Sequence, residues 1–214
     1  MRFLVTAGPT REAIDPVRFI SNRSSGKMGY AIAEAAIEGG HDVVLISGPV
    51  NINRPRGAAV ISVSTSDEMF NALQQQMGGC DVLVMSAAVA DYKPAKVSAT
   101  KIKKRGANTS LELVLTRDIL ASLPKPRQYL VVGFAAETEN VEANAIKKLQ
   151  EKNCDIIVAN DARIAMESDE NEVTVLFRGG EKINISRASK KIIARELIKI
   201  FENVCEKGLT KKTQ

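Results

Sequence analysis

Short apolar runs alternate with helical patterns along most of this 214-residue chain, and this alternation limits the possible folds more than any other feature. Each run has the length of a buried strand and is bounded by polar or Gly-containing segments. The runs occupy residues 2–7, 42–46, 58–64, 81–85, 129–135 and 155–159. Strands that alternate with helices in this way predict an α/β, Rossmann-like, doubly wound fold with a mainly parallel sheet.

Helical patterns fill the segments between these runs. They lie at residues 26–38, 66–77, 118–123 and 140–152. Ser66, which Asp67 and Glu68 follow, is predicted to cap the second of them. A polar, Lys-rich stretch at 93–109 interrupts the alternation and predicts a flexible flap, and a further strand is predicted at 111–115.

The C-terminal part of the chain departs from the parallel pattern. Apolar runs at 173–177 and 182–185 flank a Gly-Gly pair and predict a β-hairpin. An amphipathic helix over 187–205 is predicted to close the structure. We therefore expect one nucleotide-binding domain over residues 1–206 and a basic C-terminal tail over 207–214.

The sequence excludes several classes of protein. It contains no run of eighteen apolar residues, so a membrane span is excluded on length. The first strand begins directly after Met1, so we expect no signal peptide and a cytoplasmic location. Cys80, Cys154 and Cys205 are widely spaced, and His41 is the only histidine. This lack of Cys and His clusters excludes most hydrolase and metalloprotease mechanisms.

The charge balance points to phosphorylated ligands. Thirty Lys and Arg residues against twenty-five Asp and Glu give a formal charge of +5, which favours nucleic acid or a triphosphate equally. Aromatic residues make up only 4% and there is no Trp, so the sequence offers no stacking platform for bases. We therefore expect small phosphorylated partners and no nucleic acid.

Three polar segments follow strands that should lie side by side. They are the connection over residues 8–25, the turn over 86–91 and the turn over 134–137. Ligands of open α/β sheets bind outside the carboxyl ends of the strands. We therefore expect these segments to converge on one site, with the Lys-rich flap folded over the same face.

Residues 22–29 open a helix with two Ser hydroxyls and two glycines. Backbone N–H groups at such a helix start bind anions. The segment is not a Walker A motif, because Ser21 stands where that motif needs Gly and Met28 where it needs Ser or Thr. It is not a Gly-rich dinucleotide fingerprint either, because the connection is too long. The alternative is a helix start that only packs closely on the sheet.

Other charged residues allow two interpretations each. The cationic run over 101–105 is either a solvated face or a mobile flap that meets developing phosphate charge. Arg18 either binds a phosphate or forms an ordering salt bridge with Asp15. Asp91 and Glu137, at two strand ends, bind ribose hydroxyls or Mg²⁺, or merely cap turns.

Six segments occur in a fixed order and together resemble one family. They are residues 6–12, 15–29, 87–92, 101–104, 133–138 and 159–161. The second reads Asp-Pro-Val-Arg-Phe-Ile-Ser-Asn-Arg-Ser-Ser-Gly-Lys-Met-Gly and is the most specific. The chain resembles the phosphopantothenate–cysteine ligase family over about residues 1–205. Because no flavin-dependent decarboxylase half precedes the ligase motifs, we expect the stand-alone bacterial-type form.

The resemblance implies a two-step reaction of coenzyme A biosynthesis. The carboxylate of 4′-phosphopantothenate attacks the α-phosphate of CTP, releasing pyrophosphate and leaving an acyl-cytidylate. The amine of L-cysteine then displaces CMP and forms phosphopantothenoylcysteine. The resemblance also implies CTP as co-substrate, Mg²⁺ as cofactor with its ligands unassigned, a homodimer, and a separate phosphopantothenoylcysteine decarboxylase as a partner.

Site residues are carried over by position in the matching motifs. The implied catalytic residues are Asn22, which would hold the acyl-cytidylate carbonyl, and Lys101, which would act on the α-phosphate. The implied substrate-binding residues are Arg18, Asn22 and Ala87, with Arg18 acting either in its own copy or across a dimer interface. The implied nucleotide-binding residues are Gly8, Ser24, Ser25, Met85, Ser86, Ala87, Asp91, Lys101, Arg117, Asp118, Ile119, Leu120, Phe134, Lys148 and Lys152.

Two departures from the family pattern affect these expectations. Arg117 stands where the family has Pro, and the loop after Asp161 lacks the usual Gly-Phe pair. Two rival functions are an NAD(P)-dependent Rossmann oxidoreductase and a non-catalytic subunit that keeps the fold. Against the oxidoreductase, the chain lacks a short Gly-rich turn, and its Tyr-x-x-x-Lys pair, Tyr92 and Lys96, lies in the loop. A non-catalytic subunit is expected to have lost Asn22, Arg18 and Lys101, but all three are present.

Overall fold

An eight-stranded sheet runs through the molecule. The computed structural model describes residues 1–104, 106, 108–165 and 168–210. The strands are β1 Arg2–Ala7, β2 Arg11–Ala13, β3 Phe19–Ser21, β4 Asp42–Ser47, β5 Ala58–Ser62, β6 Val82–Met85, β7 Tyr92–Pro94, β8 Leu113–Leu115, β9 Leu130–Glu137, β10 Ile156–Asp161, β11 Glu170–Phe177 and β12 Lys182–Ser189. The helices are α1 Lys27–Glu38, α2 Ser66–Gln76, α3 Val141–Glu151, α4 Ala162–Ala165 and α5 Lys190–Thr210.

The sheet has the order β12-β11-β10-β9-β6-β1-β4-β5. The neighbouring strands β5, β4, β1, β6, β9 and β10 are parallel, whereas β11 pairs antiparallel with β10 and β12 pairs antiparallel with β11. The chain builds the sheet outward from β1 to one side through β4 and β5, then returns to the other side of β1 with β6. The predicted doubly wound, mainly parallel sheet with a C-terminal hairpin is confirmed.

Alternate residues of the strands face two separate cores. On one face, Phe3 and Val5 of β1 pack with α1 and α5. On the other face, Leu4 packs with α2 and α3. Helix α1 lies very close to β1: a Cβ at Gly29 would lie 2.6 Å from the Cβ of Ala7, so only glycine fits there. Within the described ranges, no helix is long and apolar enough to cross a membrane.

The connections contain structure that the sequence patterns did not predict. The segment between Ala7 and Ser25 holds a short hairpin, β2–β3, and the predicted strand at 111–115 forms β8, which pairs with β7 outside the main sheet. The predicted helix at 118–123 is wrong, because these residues form turns. Ser66 is not the cap of α2; Thr65 is, and it forms a reciprocal capping box with Glu68.

Some expectations concern segments that are described only in part. Residues 162–165 of the altered loop form α4, whereas Met166 and Glu167 lie outside the described residues. Arg105, at the end of the cationic run, also lies outside them. Helix α5 continues to Thr210, so the first four residues of the predicted tail are helical, and residues 211–214 lie outside the described part of the chain.

Candidate functional site

A cleft of about 320 Å³ opens at the carboxyl ends of β6, β9 and β10, beside the start of α1. It lies where the strand order reverses around β1, which is the usual ligand position in open α/β sheets. The three polar segments predicted to converge meet here. The cleft is lined by Asn22, Ser24, Ser25, Gly26, Lys27, Met28, Gly29, Ser86, Ala87, Ala88, Val89, Asp91, Phe134, Ala136, Lys148, Asn160, Asn171 and Lys190.

Backbone hydrogen bonds hold the turn after β6 beside the end of β1. Ala88 N–H donates to the carbonyl of Gly8 at 2.9 Å, and Thr10 N–H donates to the carbonyl of Ala88 at 3.1 Å. Two threonine hydroxyls accept further bonds: Thr6 from Ala87 N–H at 3.2 Å and Thr10 from Ala90 N–H at 2.9 Å. These bonds fix the wall of the cleft without using a side chain that points into it.

Asn22 bonds to the same wall. Its Nδ2 donates to the carbonyl of Ala88 at 2.9 Å. Both residues line the cleft. The bond therefore joins Asn22, an implied substrate-binding residue, to the residue that directly follows the implied nucleotide-binding segment 85–87. The amide of Asn22 is therefore held in one orientation at the cleft surface.

The glycines at the start of α1 are closely packed, as one of the two interpretations of the Gly-rich segment predicts. Gly26 has φ +79°, and a Cβ there would lie 2.7 Å from Cγ1 of Val50, so close packing and backbone conformation both require glycine. The hydroxyls of Ser24 and Ser25 accept weak bonds from Gly26 N–H at 3.3 Å and Lys27 N–H at 3.5 Å. This helix start lines the cleft and no side chain caps it at Gly26, so anion binding by its backbone N–H groups stays a prediction.

Lys148 places an amino group inside the cleft. Its Nζ donates to the carbonyl of Phe134 at 2.7 Å, and burial lowers the pKa of Lys148 from its ordinary value. Lys152, which directly follows α3, instead forms an ion pair with Asp118, which raises the pKa of Lys152. Of the two lysines predicted to face the nucleotide, the structure therefore brings one into the cleft.

Nine of the predicted site residues do not line the cleft in the described structure. Arg117 stacks its guanidinium over the ring of Phe70 at 4.2 Å, and Ile119 is buried in the core. The nine residues are Gly8, Arg18, Met85, Lys101, Arg117, Asp118, Ile119, Leu120 and Lys152. Gly8 and Met85 lie at strand ends behind the lining, where they support it.

Arg18 forms the ordering salt bridge that the sequence left as one of two alternatives. Its Nε donates to Oδ2 of the buried Asp15 at 3.0 Å. Asp15 also accepts from the N–H groups of Val17, Arg18 and Ile102. The Arg18 guanidinium, followed by these N–H groups, holds the pKa of Asp15 well below its usual range. Because Arg18 Nη2 also donates to the carbonyl of Ile102 at 3.0 Å, the flap is tied to the first connection next to Lys101.

The comparisons with known proteins identify the chain's relatives. Residues 1–204 match the family described as the DNA/pantothenate metabolism flavoprotein C-terminal domain. The chain belongs to this family. The coenzyme A biosynthesis bifunctional protein CoaBC of Bacillus subtilis is 46% identical over 200 residues, which are 91% of this chain and 49% of the relative. CoaBC of Vibrio cholerae is 44% identical over 208 residues, or 94% of this chain and 52% of the relative.

Solved structures agree with this assignment. The C-terminal domain of CoaBC has a TM-score of 0.83 and 45% identity, with 96% of both chains covered. The flavoprotein of Streptococcus pneumoniae, at 23% identity and a TM-score of 0.83 over 95% of this chain and 99% of its own, shares the fold. The resemblance to this family drawn from the motifs is confirmed, whereas the stand-alone form stays a prediction. The chain spans about half the length of the curated relatives it matches.

Four polar residues that line the cleft were not predicted as site residues. Lys27 and Asn160 stand inside motifs that carried the resemblance, and Asn160 lies at the carboxyl end of a parallel strand, a position that could have signalled it. Asn171 and Lys190 come from the β11–β12 hairpin and the start of α5. No local sequence pattern points to these two, because only the return of the hairpin brings them to the cleft.

The cleft contains few potential metal ligands. Within the described ranges, no group of three or more His, Cys, Asp or Glu residues could hold a metal ion. Asp91 is the carboxylate among the residues that line the cleft. The described residues that line the cleft include no His and no Cys. The cleft is therefore better suited to neutralising the charge of a bound ligand and to positioning it than to proton transfer or thiol chemistry.

Proposed function

We propose that this cleft joins 4′-phosphopantothenate to L-cysteine in coenzyme A biosynthesis, at the expense of CTP. The observation that carries the proposal is the meeting of Asn22, the start of α1, the turn after β6 and Lys148 in one cleft. The match to the C-terminal domain of CoaBC over nearly its whole length supports the pathway. Cab2, which shares the fold at 15% identity and a TM-score of 0.82, has been solved in complex with phosphopantothenate-cysteine.

The first step requires little acid–base chemistry. A carboxylate oxygen of phosphopantothenate attacks the α-phosphorus of CTP, the bond to the β-phosphate oxygen breaks, and pyrophosphate leaves with the electron pair. Such a step depends on positioning and on neutralising phosphate charge. The N–H groups at the start of α1, the amino group of Lys148 and, from the flap, that of Lys101 would serve these purposes.

The second step forms the amide. The amine of cysteine attacks the acyl carbon, CMP leaves with the former carboxylate oxygen, and the amine loses a proton. Asn22 would hold the acyl carbonyl, and Ala87 would contact the pantothenate moiety. Arg18 is proposed to bind its phosphate from a second copy of the chain, because the half-exposed guanidinium lies outside the cleft of its own copy.

The nucleotide is proposed to lie between the turn after β6 and Phe134, with Asp91 near the ribose or base. Mg²⁺ usually binds through one or two carboxylates together with substrate phosphates. The donor set of the cleft fits this mode, with Asp91 as the carboxylate and the amide oxygens of Asn160 and Asn171 nearby in the lining. Bound there with the triphosphate, Mg²⁺ would supply charge neutralisation.

A homodimer is proposed from the apolar side chains that the small sheets expose. Phe19, Tyr92 and Leu115 are 47%, 51% and 70% exposed, and they belong to the two small sheets, β2–β3 and β7–β8, the second of which is joined by the flap. Covering these side chains with a second copy would remove apolar surface from water. Light scattering that gives the mass of one chain would reject this proposal. A cytoplasmic location and a separate decarboxylase partner are also proposed.

Pyrophosphate release tests the proposed function. The purified chain is incubated with CTP, ATP, GTP or UTP, with and without 4′-phosphopantothenate, and the cysteine adduct is measured by mass spectrometry. We expect pyrophosphate only when phosphopantothenate is present, with CTP the best nucleotide, and adduct only when cysteine is added. No pyrophosphate with any nucleotide would reject the ligase, and thermal stabilisation by NADPH without stabilisation by CTP would favour an oxidoreductase.

A further inference from the structure

Two lysines that carry no role in the account above meet at one part of the cleft. Lys27 is the first residue of α1 and Lys190 is the first residue of α5, and both line the cleft. Asp169, which directly precedes β11, pairs with Lys27 at 2.6 Å between Nζ and Oδ1. We call these three residues the Lys27–Lys190 cluster.

Lys190 is held inside the protein. The residue is 8% exposed, and its Nζ donates to the carbonyl of Ser168 at 2.7 Å. Burial, and then the nearby charge of Lys27, lower the pKa of Lys190, whereas Asp169 raises it. Placing two ammonium groups within electrostatic reach of each other is unfavourable, and a polyanion bound between them would relieve this repulsion.

Asp169 is suited to be replaced by another anion. Its side chain is 85% exposed and that of Lys27 is 40% exposed, so their ion pair is largely in water. Ion pairs of this kind contribute little to stability and are broken at low cost. A phosphate group that reaches Lys27 could therefore take the place of the Asp169 carboxylate.

The carboxylates described beside this cluster differ from those beside Lys148, the other lysine that lines the cleft. Glu137 and Asp91 raise the pKa of Lys148, whereas Asp169 raises that of Lys190. The amino groups of Lys148 and Lys190 thus lie beside different carboxylates, although both residues line the same cleft. An elongated ligand with several negative charges would satisfy both.

We propose that Lys27 and Lys190 bind the terminal phosphates of the nucleoside triphosphate, and that Asp169 is the counter-ion that these phosphates displace. The proposal rests on the proposed function for the identity of the ligand. It assigns the departing pyrophosphate to the Lys27–Lys190 cluster, where two cations stabilise the negative charge that develops on the leaving group.

Binding of CTP, CMP and inorganic pyrophosphate to lysine variants tests the proposal. Lys190→Met and Lys27→Met keep the aliphatic stem and remove the charge. We expect each to weaken binding of CTP and of pyrophosphate by about tenfold or more in calorimetry, because a charge-assisted bond is lost. CMP, which lacks the terminal phosphates, should bind as it does to the unaltered chain.

Lys191→Met is the matched control. Lys191 is the next residue of α5, its side chain is 74% exposed and 3.7 Å from Glu34, and it is outside the set that lines the cleft. The substitution removes the same charge from the same turn of α5 and should leave the affinities for CTP, CMP and pyrophosphate unchanged. An equal loss for CTP in Lys191→Met would mean that general electrostatics explains the effect, and would overturn the proposal.

Asp169→Asn gives a second, opposite readout. Removing the competing carboxylate should tighten CTP binding by about two- to fivefold without changing CMP binding. Weaker CTP binding in this variant would overturn the counter-ion role, and an equal loss of CTP and CMP in both lysine variants would overturn the phosphate role. These results are separate from the proposed function, since a chain that binds pyrophosphate at the cluster but forms no adduct would reject only the ligase.

Discussion

Asn22 connects two segments of the cleft that lie 66 residues apart in the sequence. Its Nδ2 donates to the carbonyl of Ala88, so the nitrogen of the amide is fixed against the turn after β6. Aspartate has the same shape but no donor, and it would place a negative charge against that carbonyl and next to the single phosphate of the proposed acyl-cytidylate. An amide at this position keeps the bond to Ala88, which a carboxylate cannot donate.

Asn22→Asp should stall the second step. Pyrophosphate release is expected to remain largely intact in a single turnover, while amide formation slows by about 10²-fold or more, because the acyl carbonyl loses its donor. Rapid quenching and mass spectrometry would show acyl-cytidylate accumulating. Asn51→Asp adds the same charge at an exposed residue outside the cleft lining and should behave like the unaltered chain. Equal loss of both steps in Asn22→Asp would contradict the role.

Lys101 stands next to the point where the flap is anchored. It is exposed, and its neighbour Ile102 bonds to Asp15 and Arg18. The main chain beside Lys101 is therefore held in place.

Lys101→Gln should slow the first step by about 10²-fold, because the amino group would meet charge that develops on the α-phosphate. Single-turnover pyrophosphate release with saturating CTP and phosphopantothenate measures this step. Lys103→Gln, which removes a charge from an exposed residue two positions further on, is the control and should change the rate little. A change in KM alone for Lys101→Gln would show that the residue only binds substrate.

At the scale of elements, Asp15 couples the first connection to the flap. Its buried carboxylate accepts bonds from Arg18 and from the N–H of Ile102, 87 residues away in the sequence. Because the folded protein lowers the pKa of Asp15, the ionised carboxylate stabilises the folded state. That stabilisation is present above the ordinary pKa of about 4 and is lost as pH falls below it toward the folded-state pKa.

Asp15→Asn should loosen the flap and lower stability near neutral pH. Denaturant unfolding should show a gap in the free energy of unfolding between the variant and the unaltered chain that narrows as pH falls below about 4, because Asp15 of the unfolded chain then binds a proton while the folded carboxylate is still ionised. Hydrogen exchange at Ile102 should be faster in the variant at neutral pH. Asp42→Asn, at an exposed carboxylate, is the control. A gap that stays constant down to acid pH would contradict the ionic role of Asp15.

The strands of the main sheet were predictable from sequence to within a few residues. Runs such as 2–7 and 82–85 are buried on both faces, so they form continuous apolar segments and need no alternation of polar and apolar residues to be recognised. Helix α1 was equally clear, since Gly39 and Gly40 end its pattern. A strand that is buried on both faces needs a continuous run of apolar residues, and such a run can be recognised in the sequence.

The short hairpins and turns were not predictable in the same way. β2 and β3 each have three residues and mostly exposed or half-buried side chains, so they carry no apolar pattern. The segment over 118–123 has a helical pattern, but Asp118 bonds to Ala121 N–H and pairs with Lys152, and tertiary contacts hold it as turns. Contacts between distant segments decide these conformations, and local propensity does not encode them.

At the scale of the whole molecule, the sheet topology predicts where the cleft lies and which segments meet there. Strand ends on either side of β1 must converge, and the motifs after β1, β6 and β9 do so. Asn171 and Lys190 escaped prediction because the β11–β12 hairpin reverses the chain and returns it to the cleft. That return depends on antiparallel pairing with β10, which no short motif specifies.

The central claim is that the cleft makes a mixed anhydride between a carboxylate and the α-phosphate of a nucleotide. An attack at the α-phosphorus transfers one carboxylate oxygen to CMP, whereas an attack at the terminal phosphorus transfers it to inorganic phosphate. The position of that oxygen therefore separates the proposed ligase from other ways of activating the acid.

The direct measurement starts from 4′-phosphopantothenate with both carboxylate oxygens labelled with ¹⁸O, together with CTP, cysteine and the purified chain. Mass spectrometry of the products should find one ¹⁸O in CMP, one in the amide product and none in pyrophosphate. Adduct formation with unlabelled CMP, or label in a phosphate released from the triphosphate end, would contradict the account.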